Sequence, residues 1–293
     1  MRIRQPLHAT FWGVRGSIPT PGEATQRWGG NSSCVEVRHA DWPPLVLDCG
    51  TGARKLGFKL VSEPARELHM LFTHFHMDHV FGFPFFVPIY TPGYAVNVTV
   101  PAFSEEEARE KLSRYLNGMY HPTRLRDLPS AVDFRPIRGD VDFECGPFTV
   151  RGIRLNHPGG ALGYRISAEG RSIAYITDTA PFARPGEGVA CGEPATDAEQ
   201  RVISFLADCD VVIYDTMFDE EEYLEKMTWG HSYPEYGHAI CRAAGVKHLV
   251  LFHHLPDAND DSMDALAARW SDATTPTVSV AREGESVHAQ DAG

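Results

Sequence analysis

The fold of this chain is decided by the stretch Leu71-Phe72-Thr73-His74-Phe75-His76-Met77-Asp78-His79. It places four metal-binding side chains, in the spacing His-x-His-x-Asp-His, directly after an apolar run. Alternation along an extended chain points His74 and His76 to the same side. Zinc and similar ions favour imidazole nitrogen and carboxylate oxygen. The segment therefore predicts a metal site at a strand end, rather than a polar turn with incidental histidines.

Apolar runs rich in β-branched and aromatic residues recur on both sides of this motif and predict further strands. Strands come first in clusters and only later alternate with helices. This order favours an α/β fold with two sheets face to face and helices outside, an αββα sandwich, over a doubly wound parallel sheet. The predicted strands are 10–12, 34–37, 45–47, 68–72, 96–100, 148–153, 173–176, 211–214, 249–252 and 277–280, and the predicted helices are 105–116, 197–206, 234–244 and 257–270.

The length of the chain and its lack of internal repeats predict a single domain. A chain of 293 residues can hold one large α/β domain, and no repeat or low-complexity tract divides it. We therefore expect one domain over residues 1–293, with an insertion at about 90–136 near the functional site. The Pro- and Gly-rich stretch 181–194 is typical of a surface loop, and the tail after Glu283 is expected to fray.

The charge balance argues against a long nucleic acid as partner. The chain has 39 acidic and 27 basic residues, a formal net charge of −12. Proteins that bind RNA or DNA along its length usually carry a basic face. We therefore expect a small-molecule substrate and no long nucleic acid, and the sequence leaves a homodimer open.

The N-terminus and the cysteines indicate a cytoplasmic protein. No apolar stretch near Met1 is long enough for a signal peptide or a membrane span, so we expect no membrane association. Six cysteines are scattered without Cys-x-x-Cys spacing in a chain too large to need disulfide bonds. We expect them to be reduced thiols.

Three further candidate ligands follow the metal motif along the chain. His157 follows an apolar run that extends to Leu155, Asp178 follows Ser-Ile-Ala-Tyr-Ile-Thr, and His253 follows Leu-Val-Leu-Phe. Each lies just past the carboxyl end of a predicted strand, where α/β folds collect their functional side chains. His254 is the rival of His253, which is preferred because it directly follows the strand.

These residues resemble the metallo-β-lactamase superfamily, whose metal motif is His-x-His-x-Asp-His. The resemblance implies the αββα metallo-β-lactamase sandwich and two divalent metal ions, Zn²⁺ or Mn²⁺, that activate water. It also implies that Asp178 bridges both ions, and that Asp78 is a catalytic residue as well as a metal ligand. One ion is held by His74, His76 and His157, and the other by Asp78, His79 and His253.

A second set of motifs resembles one branch of that superfamily, ribonuclease Z and its smaller phosphodiesterase relatives. The segments that carry this resemblance are 13–20, 30–33, 47–52 and 230–253, so it spans nearly the whole chain. It implies that His231, in Gly-His-Ser-Tyr-Pro, acts on the scissile phosphate with Asp215 supporting it. Tyr214 departs from the pattern, since ribonuclease Z has a histidine there. Asp48 and the glycines around it are expected to shape the turn beneath the metals.

Two features favour a small substrate within that branch. The sequence has no Gly/Pro-rich basic arm of the kind with which ribonuclease Z holds transfer RNA. The segment 90–136 is expected to fold over the metals, with Tyr120 and His121 lining a substrate pocket. We therefore predict a phosphodiesterase for small diesters such as cyclic nucleotides, with activity that depends weakly on salt.

Three alternatives remain. A ribonuclease Z-like nuclease that processes RNA 3′ ends would use the same metals. So would a lactonase, thioesterase or β-lactamase-like hydrolase acting on a carbonyl, although the His231 turn belongs to the phosphodiesterase branch. A metal-bound sensing module without turnover finds no support in a chain that retains all seven candidate ligands.

Overall fold

The computed structural model describes residues 6–289, which form two seven-stranded mixed sheets flanked by helices. The predicted αββα sandwich is confirmed. Each sheet combines antiparallel strands on one side with parallel strands on the other. No helix within residues 6–289 combines the length and apolar character that a membrane crossing requires.

The first sheet contains the N-terminal strands and one strand from the C-terminus. Its strand order is β14-β1-β2-β3-β4-β5-β6. Neighbouring strands are antiparallel from β14 to β3 and parallel from β3 to β6. The strands are β1 (His8–Gly13), β2 (Cys34–Arg38), β3 (Leu45–Leu47), β4 (Glu67–Leu71), β5 (Ala95–Pro101), β6 (Ala131–Ile137) and β14 (Ser286–His288).

The second sheet repeats this plan with the central and C-terminal strands. Its strand order is β13-β12-β11-β10-β9-β8-β7. Pairing is antiparallel from β7 to β10 and parallel from β10 to β13. The strands are β7 (Asp142–Cys145), β8 (Phe148–Leu155), β9 (Ala161–Ala168), β10 (Arg171–Ile176), β11 (Val211–Asp215), β12 (His248–Phe252) and β13 (Thr277–Val280).

The helices cover the outer faces of the sheets. Capping fixes where several begin: Ser104 Oγ accepts a hydrogen bond from the Glu107 amide at 3.2 Å, and Pro234 occupies the first turn of its helix. The helices are α1 (Ala53–Ser62), α2 (Met77–Val80), α3 (Glu105–Ser113), α4 (Asp197–Leu206), α5 (Glu220–Glu225), α6 (Pro234–Ala243) and α7 (Asp260–Trp270).

Apolar side chains fill three layers. The central layer joins the two sheets and includes Phe11, Leu71, Phe148 and Phe252. The other two layers lie between each sheet and its helices. Burying one such side chain stabilises the fold by about 1.5–3 kcal/mol. The sandwich thereby holds the carboxyl ends of β4, β8, β10, β11 and β12 in fixed positions.

Several elements differ from the sequence prediction. Three of the strands not predicted, β6, β7 and β14, lie at sheet edges, and the fourth is β9. The expectation that the tail after Glu283 frays is wrong as far as Ala289, because β14 pairs with β1; residues 290–293 lie outside the described part. The segment 90–136 contains the sheet strands β5 and β6 near its two ends, so only the stretch between these strands can act as an insertion.

Candidate metal centre

Two groups of potential ligands meet at the carboxyl ends of these strands. Within each group the candidate ligand atoms lie within 4.8 Å of one another, and Asp178 belongs to both groups. A carboxylate shared in this way can reach two cations with its two oxygens. The first group is His74, His76, His157 and Asp178, and the second is Asp78, His79, Asp178 and His253.

The backbone turns sharply where these side chains leave their strands. Asp178 has φ 56°, His253 has φ 65° and Asp48, after β3, has φ 55°. Residues with a Cβ rarely adopt this left-handed conformation, which costs about 1–3 kcal/mol and clusters at functional sites. The surrounding sandwich imposes these turns, and they aim the side chains at a common centre.

Ring nitrogens of different histidines face one another inside the cluster. His157 Nε2 lies 3.1 Å from His76 Nδ1, and His79 Nε2 lies 3.3 Å from His253 Nε2. His74 Nε2 is buried and has no hydrogen-bond partner within residues 6–289, although it lies 3.7 Å from Asp178 Oδ1. Buried polar groups are nearly always paired. The arrangement fits divalent cations, for which imidazole and carboxylate groups are the preferred ligands.

The opposite nitrogens of three of these rings are held by hydrogen bonds. His79 Nδ1 donates to Asp48 Oδ2 at 2.7 Å, and His157 Nδ1 donates to the Gly230 carbonyl at 2.9 Å. His74 Nδ1 lies 3.0 Å from Thr73 Oγ1. Such contacts fix the tautomer of a metal-binding histidine and leave its Nε2 free for the metal.

Asp48 has a different role from the one the sequence suggested. Besides His79 it accepts hydrogen bonds from the Thr73 amide at 2.8 Å and from the Tyr175 hydroxyl at 3.1 Å, and it is completely buried. It therefore orients a ring of the cluster instead of only shaping a turn. Its position directly after β3 is the same strand-end signal that identified the other candidates.

We expect Asp48→Asn to weaken metal binding by about 10- to 100-fold, the usual effect of losing a hydrogen-bond partner behind a metal ligand. Competition with a chromophoric chelator measures this affinity. Asp210→Asn is the matched control, because Asp210 is also buried but pairs with Lys247 at 2.7 Å and contacts no residue of the cluster. Equal metal affinity in the two variants would contradict the orienting role.

The electrostatics of the cluster favour bound positive charge. Burial by itself would raise the pKa of Asp178, but the neighbouring imidazoles, His253 foremost, hold that pKa well below its usual range. Burial opposes the charging of His79 as well, yet the carboxylates, Asp178 first, raise its pKa well above the ordinary value. Burial lowers the pKa of His74, which keeps that ring neutral and able to donate a lone pair.

His231 lies against this cluster and is held by Asp215. Its Nδ1 donates to Asp215 Oδ2 at 2.8 Å, and its ring stacks on that of His253 with 5.0 Å between centroids. Burial lowers the pKa of His231, but the charge and hydrogen bond of Asp215 outweigh it and raise the pKa to about 9. Asp215, His231 and His253 also lie close enough together to form a third potential metal group.

The remaining sequence candidates lie outside the cluster. His254 Nε2 is committed to the Ala281 carbonyl at 2.7 Å, whereas His253 Nε2 lies 3.2 Å from Asp78 Oδ2. Tyr120 is 79% exposed, and the ring of His121 packs against that of Phe85 with 5.5 Å between the ring centroids. Among the described contacts none joins Tyr120 or His121 to the ligand groups, so their role in substrate binding stays a prediction.

All six cysteines are free thiols, five of them buried, as expected of reduced cysteines. None belongs to a potential ligand group within residues 6–289. The cluster is therefore built from histidine and aspartate alone.

The fold and this centre define the class of protein: a metal-dependent hydrolase of the metallo-β-lactamase fold. The chain belongs to the β-lactamase superfamily, since the family model described as "Beta-lactamase superfamily domain" matches residues 45–254. Its motifs resemble those of the ribonuclease Z-like branch of the superfamily, and relatives named ribonuclease Z match most of the chain.

Comparison with curated relatives supports this placement. Ribonuclease Z of Haloarcula marismortui is 24% identical, over 95% of this chain and 95% of the relative. Ribonuclease Z of Thermoplasma acidophilum is 27% identical, over 88% and 89%. The similarity thus extends along both proteins instead of being limited to the metal motif.

Solved structures share the fold. The metallo-β-lactamase fold protein YhfI from Bacillus subtilis superposes with a TM-score of 0.68 at 19% identity, over 97% of this chain and 99% of that one. A diphosphatase of the PhnP family superposes with a TM-score of 0.66 at 16% identity, over 96% and 97%.

Proposed function

We propose that this protein is a phosphodiesterase whose centre holds two divalent metal ions. The observation that carries the proposal is the hydrogen bond between His231 and Asp215, with 2.8 Å between Nδ1 and Oδ2. This pair lies beside two groups of potential metal ligands that share Asp178. His231 lies in the Gly-His-Ser-Tyr-Pro turn, which resembles the phosphodiesterase branch, and cleavage of a phosphodiester releases an alkoxide that such an acid can protonate.

The proposed ligands follow the two groups in the structure. His74, His76 and His157 would hold one ion, Asp78, His79 and His253 the other, and Asp178 both. Zn²⁺ and Mn²⁺ both suit a mixed histidine and aspartate site. When bound, such ions lower the pKa of water towards about 7 and neutralise negative charge on the phosphate oxygens.

His231 is proposed as the general acid. Its Nδ1–H is committed to Asp215, so its Nε2–H is the proton available to the leaving oxygen. Asp215 is fixed for this purpose by the Thr179 and Met217 amides, which donate to its two oxygens at 3.1 Å each. A positioned acid of this kind contributes about 10²–10⁴-fold to the rate. In the same scheme Asp78 serves the chemistry through its ligand role, and the Ser17 amide steadies it at 2.8 Å.

Two substrate classes fit this chemistry. Curated relatives named ribonuclease Z match 95% and 88% of the chain, which favours an RNA 3′-processing nuclease over a cyclic nucleotide phosphodiesterase. A net charge of −12 favours small diesters. Net charge is a property of the whole chain and says little about the surface near the metals. We therefore propose RNA phosphodiesters as the substrate and keep small diesters as the second candidate.

We expect the metal-loaded enzyme to cleave precursor transfer RNA with a kcat/KM at least about tenfold above that for 2′,3′- or 3′,5′-cyclic mononucleotides. Cleavage of the RNA should weaken as salt rises, because each phosphate contact releases counterions on binding. Gel electrophoresis and chromatography of the products measure both activities. His74→Ala prepared in parallel controls for contaminating nucleases. Turnover of cyclic mononucleotides that depends weakly on salt, with the RNA left intact, would restore the small-diester prediction.

A further inference from the structure

A cavity of about 370 Å³ lies beside the metal centre and is lined by basic side chains. It is bounded by the ends of β5, β6 and β8, by α3, and by the loop that follows His157. Its wall residues include Lys111, Arg138, Arg154, Phe103, Gly159 and Gly160. We call this space the cationic cavity.

The positive charge of the cavity is only partly neutralised. Lys111 Nζ pairs with Glu107 Oε1 at 2.8 Å. Arg138 donates to the Phe103 carbonyl at 2.9 Å, and its guanidinium lies 4.7 Å from the centre of the Phe103 ring. Within residues 6–289 no carboxylate forms an ion pair with Arg138 or Arg154. Two guanidinium groups therefore remain able to bind an anion.

The backbone makes room for one of these guanidinium groups. Gly139 has φ +58°, and a Cβ at this position would lie 2.5 Å from Arg154 Nε. The next residue is Asp140, whose Oδ1 accepts a hydrogen bond from the Arg154 backbone amide at 2.9 Å. Its Oδ2 forms an ion pair with Arg201. The carboxylate of Asp140 is thus engaged elsewhere, and the Arg154 guanidinium packs over Gly139.

The cavity adjoins the side of the centre formed by His74, His76 and His157. Gly159 and Gly160 follow His157 by two and three residues. Even a fully extended chain places residues with these separations at most about 7 and 11 Å apart. A Cβ at either glycine would meet no atom within 4 Å, so open space lies beside both residues. On the other side Lys111 Nζ lies 5.2 Å from the centre of the Phe75 ring.

We propose that the cationic cavity binds a second phosphate of the substrate, the one that neighbours the scissile phosphodiester in a nucleotide chain. The inference rests on the proposed function and specifies its substrate as a nucleotide with at least two phosphates. The two arginines suit the oxygens of a phosphate, since the guanidinium fork binds oxyanions in bidentate fashion. The positive side chains of the cationic cavity also explain how a chain of net charge −12 can bind polyanionic substrates.

Isothermal titration calorimetry of the metal-loaded protein tests this subsite without turnover. Adenosine 3′,5′-bisphosphate should bind about tenfold more tightly than adenosine 5′-monophosphate, because its second phosphate gains a charge-assisted contact. The Arg138→Gln/Arg154→Gln double variant should bind both ligands with equal affinity. Arg126→Gln is the matched control, since this exposed arginine lies outside the cavity, and it should keep the tenfold preference. Equal binding by the wild type, or a preference that survives in the double variant, would overturn the inference.

A kinetic comparison separates this inference from the proposed function. The dinucleotide ApA has one phosphate, and pApA and ApAp each carry a second one. At least one of the two should show a KM about tenfold lower than that of ApA, and the double variant should lose this gain while keeping its kcat/KM for ApA. Failure of every diester to react would refute the proposed function, while the calorimetric result would still decide whether the cavity binds phosphate.

Discussion

Replacing Asp178 by alanine should remove at least one of two metal ions from each chain and lower kcat by about 10³-fold or more. Asp178 is the one residue shared by both ligand groups, and its Oδ2 lies 3.0 Å from His79 Nε2 and 3.3 Å from His253 Nε2. A metal ion contributes several kcal/mol to the stabilisation of transition-state charge, and about 4 kcal/mol corresponds to a thousandfold change in rate.

Elemental analysis and steady-state kinetics measure these two effects. The fully loaded wild type should contain close to two ions per chain, and Asp178→Ala one or none. Asp210→Ala serves as control, because it removes another buried carboxylate at a distance from the cluster and should retain both ions. Saturation of the wild type at a single ion would refute the dinuclear centre.

The second large effect is expected at His231. His231→Ala should lower kcat by about 10²–10⁴-fold while keeping both metal ions and the fold, because an acid that ligates no metal is lost without disturbing the centre. Metal content, circular dichroism and kcat are measured on the same preparation. Loss of a metal ion in this variant would instead assign His231 to the third potential ligand group, with Asp215 and His253.

The pH profile gives an independent measure of the same role. The active form of a general acid is protonated, so the rate should fall as pH rises through the pKa of His231, which its surroundings raise to about 9. Asp215→Asn removes the charge that raises this pKa and should move the alkaline limb to lower pH. His231→Ala should abolish the limb. An unchanged alkaline limb in both variants would exclude His231 as the acid.

Apolar runs with a clear period were the part of the fold that local sequence could predict. β3 and β13 coincide with the predicted ranges, and α4 does as well. The edge strands β6 and β14 escaped prediction for a physical reason. β14 has three residues, and β6 contains Pro136, which lowers its strand signal but is tolerated at a sheet edge. Such strands are specified by hydrogen bonds from a neighbouring strand more than by their own pattern.

Three candidate ligands were predictable because each lies one or two residues past an apolar run. A strand end positions its next residues with little freedom, so His157, Asp178 and His253 could be selected from the sequence as metal-binding side chains. Tyr120 and His121 lie on a connection between β5 and β6 instead. No comparable rule links a position in such a loop to a point in space, so the sequence does not fix how far these two side chains lie from the metal centre.

The sequence by itself thus determined the type of fold and the residues from which a metal centre can be built, because these depend on periodicity and on short spacings along the chain. Only the tertiary structure decided that Asp178 is shared by two ligand groups, that Asp48 orients His79, and that Arg138 and Arg154 line one cavity beside His157. Asp48 and His79 are 31 residues apart. Contacts of this kind arise when the two sheets pack together, and no local pattern encodes the distances that packing creates.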